Sequence, residues 1–289
     1  MTKIREINVV GASRPTLEGA GVQLRRVFGH GHEAYFDPFL MMDDFRCGAP
    51  SEFEAGFPWH PHRGIETITY VIEGEVDHAD SLGNAGTIGA GDVQWMTAGS
   101  GIIHQEMPRG TAAGRMGGFQ LWANLPSAHK MMDPRYVGVS AGEIPSVQDG
   151  GATVRVIAGA VGDVVGPVTD IVIEPEYLDV TIAAGSRWTH PTRLGHTVFA
   201  YLFEGSATFG RSDEVVADGG HVVLLTDGEA LAVHAGAQGA RFLLVSGRPL
   251  GEPIAWGGPI VMNTREELDL AWRELDAGTF VKHGVAGGA

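Results

Sequence analysis

The sequence has few of the features that mark secreted or polyanion-binding proteins. It contains one cysteine, Cys47, so no disulfide can form within the chain. Its 20 Lys and Arg residues are outnumbered by 35 Asp and Glu residues, which gives a net charge of −15 with no basic cluster against it. Because contacts with phosphate groups need a basic face, we expect no direct nucleic-acid partner.

Long apolar segments are also missing. The longest apolar runs, such as residues 222–225, are much shorter than the ~20 residues that cross a bilayer. Residues 1–6 show no apolar signal core. The sequence therefore predicts a cytoplasmic, soluble protein without a membrane partner.

Glycine, in contrast, is abundant at 43 of 289 residues, about double the usual ~7%. Glycine turn signals recur almost to residue 250, and the runs between them have the length and composition of strands. These runs are residues 67–72, 93–96, 119–122, 198–203, 222–225 and 242–245. Short strands joined by glycine turns predict an all-β sandwich or barrel.

A faint internal repeat divides the chain. Residues 69–74 resemble residues 200–205, which lie 131 positions later, and Trp59-His60-Pro61 resembles residues 188–191 with a one-residue slip. Two copies of one β-barrel would account for the length. We therefore predict an N-terminal domain, a C-terminal domain and a tail, at residues 1–135, 136–250 and 251–289.

One helix has clear signals, and it lies in the tail. Thr264 and Glu267 are spaced for a capping box at its start, and Gly278 is a stop signal. Between them the apolar residues form one stripe at Leu268, Ala271, Trp272 and Leu275. We expect this helix to cover a barrel.

Two pairs of potential metal ligands lie in strand-like sequence. His60 and His62 are two residues apart, as are His104 and Glu106, and strand geometry sends such pairs to one face. Facing strands could therefore offer three imidazoles and one carboxylate to a single divalent ion. His30 and His32, in a glycine-rich turn, have no such partner pair, and we expect only a loop role for them.

The carboxylate ligand is ambiguous from spacing alone. Counting by twos from His62 reaches Gly64 and then Glu66, which predicts Glu66 on the histidine face. Glu66 is therefore a rival to Glu106. The alternation of side chains does not choose between them.

Three longer segments carry a resemblance to a known family. They read GFPWHPHRGIET at 56–67, DSLGN at 80–84 and GDVQWMTAGSGIIHQEMP at 91–108. With weaker matches over nearly the whole chain, the sequence resembles the pirin family of the cupin superfamily. That resemblance implies a bicupin, with two tandem cupin β-barrels and a C-terminal helix.

The resemblance also implies a ligand set. The family's metal is held by the two histidines of a His-Pro-His motif and by the His and Glu of a second motif, which are His60, His62, His104 and Glu106 here. This choice leaves Glu66 in the wall of the site. The expected cofactor is one divalent ion per chain, Fe(II) first, with zinc, manganese, nickel or cobalt as alternatives. The second half keeps at most His190 and His234 near the matching places, so we expect that barrel to act as a scaffold.

Two functions follow from the resemblance. The first is a dioxygenase that cleaves flavonols such as quercetin with O2 and releases carbon monoxide, with Glu106 accepting the proton of the substrate hydroxyl. Its expected pocket is apolar, lined by Phe57, Trp59, Met96, and Trp95 or Trp122. The alternative is a metal-binding regulator, a transcription cofactor or redox sensor, that acts through protein partners.

Overall fold

The computed structural model describes residues 2–212, 215–217 and 220–283, and most of them lie in β-strands. In chain order, the strands begin with β1 (Ile7–Ala12), β2 (Arg14–Glu18), β3 (Val22–Phe28), β4 (Phe39–Asp44), β5 (Phe57–His62), β6 (Ile65–Glu73), β7 (Glu75–Asp80), β8 (Ala85–Ile88), β9 (Val93–Thr97), β10 (Ile102–Arg109), β11 (Gly117–Asn124) and β12 (Arg135–Val139). They continue with β13 (Ser146–Asp149), β14 (Ala152–Ala158), β15 (Ala160–Val161), β16 (Val164–Val165), β17 (Glu176–Ile182), β18 (Arg187–Pro191), β19 (Thr197–Phe209), β20 (Val216–Ala217), β21 (His221–Leu225), β22 (Ala230–Gly247), β23 (Ala255–Gly257) and β24 (Ile260–Met262).

Helical structure is sparse in the described part of the chain. It consists of α1 (Glu33–Phe36), α2 (Arg265–Asp276) and two short 3-10 helices, Pro50–Glu52 and Ser127–His129. The all-β class is confirmed, and each run that the sequence marked as a strand lies within one. The single turn of α1 was not predicted, because four residues are too few for a helical period. Within the residues described, no helix is long and apolar enough to cross a membrane.

The strands form two compact units, each assembled from separate segments. The C-terminal unit comprises Met1–Arg14, Val27–Pro38 and Gly142–Pro249, and the N-terminal unit comprises Pro15–Arg26, Phe39–Ala141 and Leu250–Ala289. The tail is therefore part of the N-terminal unit. The sequence-based boundaries at 135 and 250 stay a prediction about domain organisation.

The C-terminal unit is built on a nine-stranded antiparallel sheet in the order β1-β21-β19-β22-β17-β14-β13, with β18 paired to β22 and β20 to β19. The 18-residue strand β22 bonds three neighbours, β17, β18 and β19, along its length. Side chains from these strands, such as Leu178, Trp188 and Phe242, fill one continuous apolar core.

The N-terminal unit contains two larger sheets. A seven-stranded sheet has the order β12-β9-β6-β11-β4-β3-β2, and a four-stranded sheet has the order β5-β10-β7-β8. The first seven residues of β6 are all buried, so both of its faces are covered. The chain passes from the four-stranded sheet to the seven-stranded sheet at the short turn between β5 and β6.

That turn is held by the tail. Gly64 has a φ of +77°, and a Cβ atom there would overlap the carbonyl oxygen of Val261, so both the backbone angle and the space require glycine. The buried Lys130 ammonium donates to the carbonyl oxygens of Gly64 and Val261, each at 2.9 Å, and to Asn124 Oδ1 at 2.6 Å. The turn after His62 is therefore fixed from two sides.

Arg63 makes a second set of contacts with the tail. Its side chain is 2% exposed and donates to the carbonyl oxygen of Ser100 at 2.7 Å, to Glu274 Oε2 at 2.8 Å and to the carbonyl oxygen of Phe280 at 2.7 Å. Its guanidinium also lies 4.2 Å from the centre of the Phe280 ring, a cation–π contact. These bonds connect the β5–β6 turn with helix α2 and the segment beyond it.

Helix α2 begins as the sequence predicted. Thr264 is its N-cap and accepts from the backbone N–H of Glu267, whose carboxylate accepts in turn from the backbone N–H of Thr264. Leu268 and Ala271 are buried in an apolar cluster with Ile260 and Phe280. The helix therefore covers the strands of the N-terminal unit, and it orients Glu274 toward Arg63.

Replacing Arg63 tests how much the turn depends on the tail. We expect Arg63→Met to lower the free energy of unfolding by about 3 kcal/mol, because it leaves two carbonyl oxygens without their donor and Glu274 with Lys282 as its remaining cation. Chemical denaturation measures this value. The control is Arg265→Met, which removes an arginine that is 76% exposed and paired with Asp269, and it should cost less than about 0.5 kcal/mol. Equal losses for the two variants would contradict this account.

Candidate metal centre

Three neighbouring strands of the four-stranded sheet each present a pair of polar side chains. Strand β5 carries His60 and His62, its neighbour β10 carries His104 and Glu106, and β7 carries His78 and Asp80. His104 lies opposite His60 on one side and opposite Asp80 of β7 on the other. Because residues two apart on a strand share a face, these pairs form one polar array.

The three imidazoles lie close enough to bind one ion. His60, His62 and His104 each offer a ring nitrogen, and these atoms all lie within 4.8 Å of one another. The structure thus brings together the three histidines that the sequence predicted. Among the residues described, this is the one group of three or more His, Cys, Asp and Glu side chains with that geometry.

Backbone carbonyls orient two of the rings. His60 Nδ1 lies 2.8 Å from the carbonyl oxygen of Pro58, and His62 Nδ1 lies 3.2 Å from that of Pro259. A carbonyl oxygen only accepts, so each Nδ1 carries the proton and each Nε2 is left as a lone-pair donor. Metal-binding histidines are typically held in this way by their second nitrogen.

The surroundings of His104 test whether this cluster suits a metal ion. Its side chain is 2% exposed, and neither ring nitrogen has a hydrogen-bond partner. Buried polar atoms without partners are rare and costly. A cation bound by His60 and His62 would also accept the lone pair of His104, so the donor set fits a metal ion.

Glu106 borders this cluster. Its Oε2 lies 3.9 Å from His104 Nε2, and its Oε1 accepts from the Thr69 hydroxyl at 3.1 Å. Burial raises the pKa of Glu106, while His60 and the Thr69 hydrogen bond act in the opposite direction. Its role as the fourth ligand stays a prediction.

Glu66 does not share the histidine face, so the prediction from counting by twos was wrong. The count assumed one strand from His62 to Glu66, but the chain turns at Gly64 into a different sheet. On β6, Thr69 contacts Glu106, whereas Glu66 has the opposite parity and accepts from the Thr97 hydroxyl at 2.7 Å. Burial raises the pKa of Glu66 as well.

The sequence analysis missed the third pair, His78 and Asp80. His78 lies opposite Glu106, and its Nε2 is 2.8 Å from the side-chain amide of Gln94. Asp80 accepts from the backbone N–H of Asn84 at 2.9 Å. This His-x-Asp spacing repeats that of the two recognised pairs and could have identified β7 as part of the site.

Aromatic rings line the array, in part as expected. The Trp122 ring lies 5.0 Å from that of His62 and 6.1 Å from that of Trp256. Met96 belongs to the same apolar cluster as Trp122, together with Tyr136. Three other candidate wall residues lie elsewhere. Phe57 packs against a separate apolar cluster. Trp59 alternates with His60 and His62 and is 54% exposed, and Trp95 alternates with Met96 on β9.

The other histidines of interest have different partners. In the C-terminal unit, His190 is buried and its Nε2 lies 2.8 Å from Glu176 Oε1, while His234 is exposed. His30 Nδ1 lies 2.7 Å from Glu33 Oε1 beside the short helix α1, and His32 is the N-cap of that helix. None of these four residues belongs to a metal-binding group among the described residues.

The buried imidazoles make the protein sensitive to acid when no metal is bound. Burial lowers the pKa of His62 to about 3 and that of His104 well below its usual value, with neighbouring imidazoles acting in the same direction. Unfolded histidines titrate near ~6.5, so below that pH the unfolded chain binds protons that the folded chain does not. Acid therefore favours unfolding.

Denaturation of chelator-treated protein at several pH values checks this effect. We expect the free energy of unfolding to fall below pH ~6.5 by up to ~1.4 kcal/mol per pH unit for each of the two histidines. His62→Gln should reduce the slope, and the same change at the exposed His129 should not. Identical slopes in all three proteins would refute the assignment.

Comparisons with known proteins identify the family of this chain. A family model described as Pirin matches residues 21–123, and one described as Pirin C-terminal cupin domain matches residues 177–281. A pirin-like protein of Caulobacter vibrioides is 42% identical over 279 residues, which cover 96% of this chain and 99% of that protein.

Solved structures show the same fold. Quercetin 2,3-dioxygenase from Acinetobacter baumannii has a TM-score of 0.88 at 32% identity, covering 98% of this chain and 99% of that one. A bacterial pirin from Escherichia coli, solved in complex with nickel(II), has a TM-score of 0.63 at 24% identity, covering 86% of this chain and 100% of that one. The expected pair of cupin domains is thus confirmed, and the chain belongs to the pirin family of the cupin superfamily.

Proposed function

We propose that the protein is a metal-dependent dioxygenase, acting in the cytoplasm, that cleaves flavonols such as quercetin with O2 and releases carbon monoxide. The observation that carries this proposal is the set of three clustered imidazoles beside a buried carboxylate and an aromatic wall. The likeness to a structure described as quercetin 2,3-dioxygenase supports it.

In this proposal His60, His62 and His104 hold one divalent ion, and Glu106 completes the set. Neutral nitrogen ligands with one carboxylate suit a mid-row metal, and we propose Fe(II). When bound, such an ion supplies Lewis acidity toward a substrate oxygen and a redox centre for O2. Zinc, manganese, nickel and cobalt accept the same ligands.

Glu106 is the proposed base. A buried carboxylate whose pKa is raised is a stronger proton acceptor than one in water, and Glu106 faces the same side as the imidazoles. The Thr69 hydroxyl lies 3.1 Å from Glu106 and 2.7 Å from Gln120 Oε1, but it has a single proton to donate. With the Gln120 amide turned so that its NH2 group donates to Thr69, the Thr69 hydroxyl donates its hydrogen bond to Glu106 and orients the carboxylate.

The aromatic wall has two proposed tasks. Trp122 and Trp256 offer flat apolar surfaces next to His62, which suit a flat aromatic substrate. Covering the site with apolar rings also excludes water, and this strengthens the interactions of Glu106 with the substrate hydroxyl. The chain thereby binds the ring system and takes up its proton in one place.

Separate glutamine substitutions test which carboxylate binds the ion. We expect Glu106→Gln to weaken metal affinity by about tenfold or more, because a neutral amide replaces an anionic ligand. Glu66→Gln, the matched control, should keep one ion per chain, since Glu66 is on the other face of β6. Elemental analysis after dialysis against graded chelator measures both. Loss of metal from Glu66→Gln alone would overturn the assignment.

Gas analysis tests the activity. Iron-loaded protein should consume O2 with quercetin and release carbon monoxide together with the ring-opened ester. Because quercetin autoxidises, the release must be lost in His104→Ala and kept in His190→Ala, a buried histidine of the C-terminal unit. If iron-loaded protein takes up no more O2 than a metal-free control, the dioxygenase proposal is wrong. That result would favour a metal-binding regulator that acts through protein partners.

A further inference from the structure

Tyr136 lies in the wall of the metal centre. It is opposite Met96 in the pairing of β12 with β9, and its ring packs in one apolar cluster with Met96 and Trp122. Trp122 in turn contacts the ring of His62. The Tyr136 ring is also roughly parallel to that of His78, with centres 6.1 Å apart. Tyr136 therefore faces the polar array.

The hydroxyl of Tyr136 is buried beside the Asp80 carboxylate but makes no hydrogen bond of ordinary geometry. An unpaired buried hydroxyl costs stability, and such groups in native structures call for an explanation. Burial raises the pKa of Tyr136 strongly, and the nearby carboxylates of Asp80 and Glu106 raise it further. The hydroxyl therefore keeps its proton and can donate a hydrogen bond.

The protein does not need this hydroxyl to hold the ring in place. Asp80, the carboxylate that interacts with the hydroxyl, already accepts from the backbone N–H groups of Leu82 and Asn84 at 2.8 and 2.9 Å and from the Asn84 side-chain amide at 2.7 Å. The Tyr136 ring is positioned by its apolar neighbours and by His78, which Gln94 holds. The donor is left for another molecule.

We propose that the Tyr136 hydroxyl binds the substrate by donating a hydrogen bond to one of its oxygens. This inference rests on the proposed function and narrows its substrate class. His78 stacks with the Tyr136 ring and lies opposite Glu106 in the pairing of β7 with β10, so Tyr136 and Glu106 flank one histidine. A substrate between them presents two neighbouring oxygens, a hydroxyl beside Glu106 and a carbonyl that accepts from Tyr136. A flavonol carries its hydroxyl next to its carbonyl and meets this requirement.

Binding of 3-hydroxyflavone to metal-loaded protein without oxygen tests the proposal. Tyr136→Phe should bind this probe about tenfold more weakly, the effect of one lost hydrogen bond, with unchanged metal content. Its melting temperature should stay the same or rise, because the variant removes an unpaired buried hydroxyl. The matched control is Tyr35→Phe, a tyrosine of the C-terminal unit that is 60% exposed, which should bind like the parent.

The outcomes separate the two proposals. Equal dissociation constants for the parent and Tyr136→Phe would overturn the role of Tyr136 and leave the proposed function standing. A lower melting temperature for Tyr136→Phe would show that the hydroxyl is structural and would also overturn it. A metal-loaded parent that fails to bind 3-hydroxyflavone would overturn the proposed function together with the role of Tyr136.

Discussion

The N-terminal unit is organised around the packing of three imidazoles against one another. Rings this close cannot all carry charge, because each positive ring would raise the energy of the next and burial would add to that cost. The carbonyls of Pro58 and Pro259 accept from Nδ1 of two of them, which leaves each Nε2 as the lone-pair donor. The short sheet and its β5–β6 turn are the frame that brings these groups together.

Alternation along single strands predicted the three histidines, because each pair lies on one uninterrupted strand. The same rule failed for Glu66, because Gly64 ends one strand and the next belongs to another sheet. The His78 and Asp80 pair had the same signal and was overlooked. Tyr136 had none, since its place beside Met96 depends on a pairing of β12 with β9 that no local pattern encodes.

The all-β class, the two units and helix α2 were also within reach of the sequence. Glycine turns and short apolar runs are local features, and the Thr264 capping box is set by residues three apart. The segments that make up each unit could not be predicted from the sequence, because contacts between residues far apart in the chain decide them. In the C-terminal unit, Nε2 of the buried His190 lies 2.8 Å from Glu176 Oε1, so the second barrel keeps one histidine beside a carboxylate.

The tail gives the centre a particular order of assembly. Every proposed ligand is present once residue 106 has been synthesised, yet the carbonyl that orients His62 belongs to Pro259, and Arg63 is anchored on Glu274 and Phe280. A growing chain on the ribosome would expose these histidines long before their supports exist. Uptake of the ion is therefore expected as a late event in biogenesis, after translation has passed the end of α2.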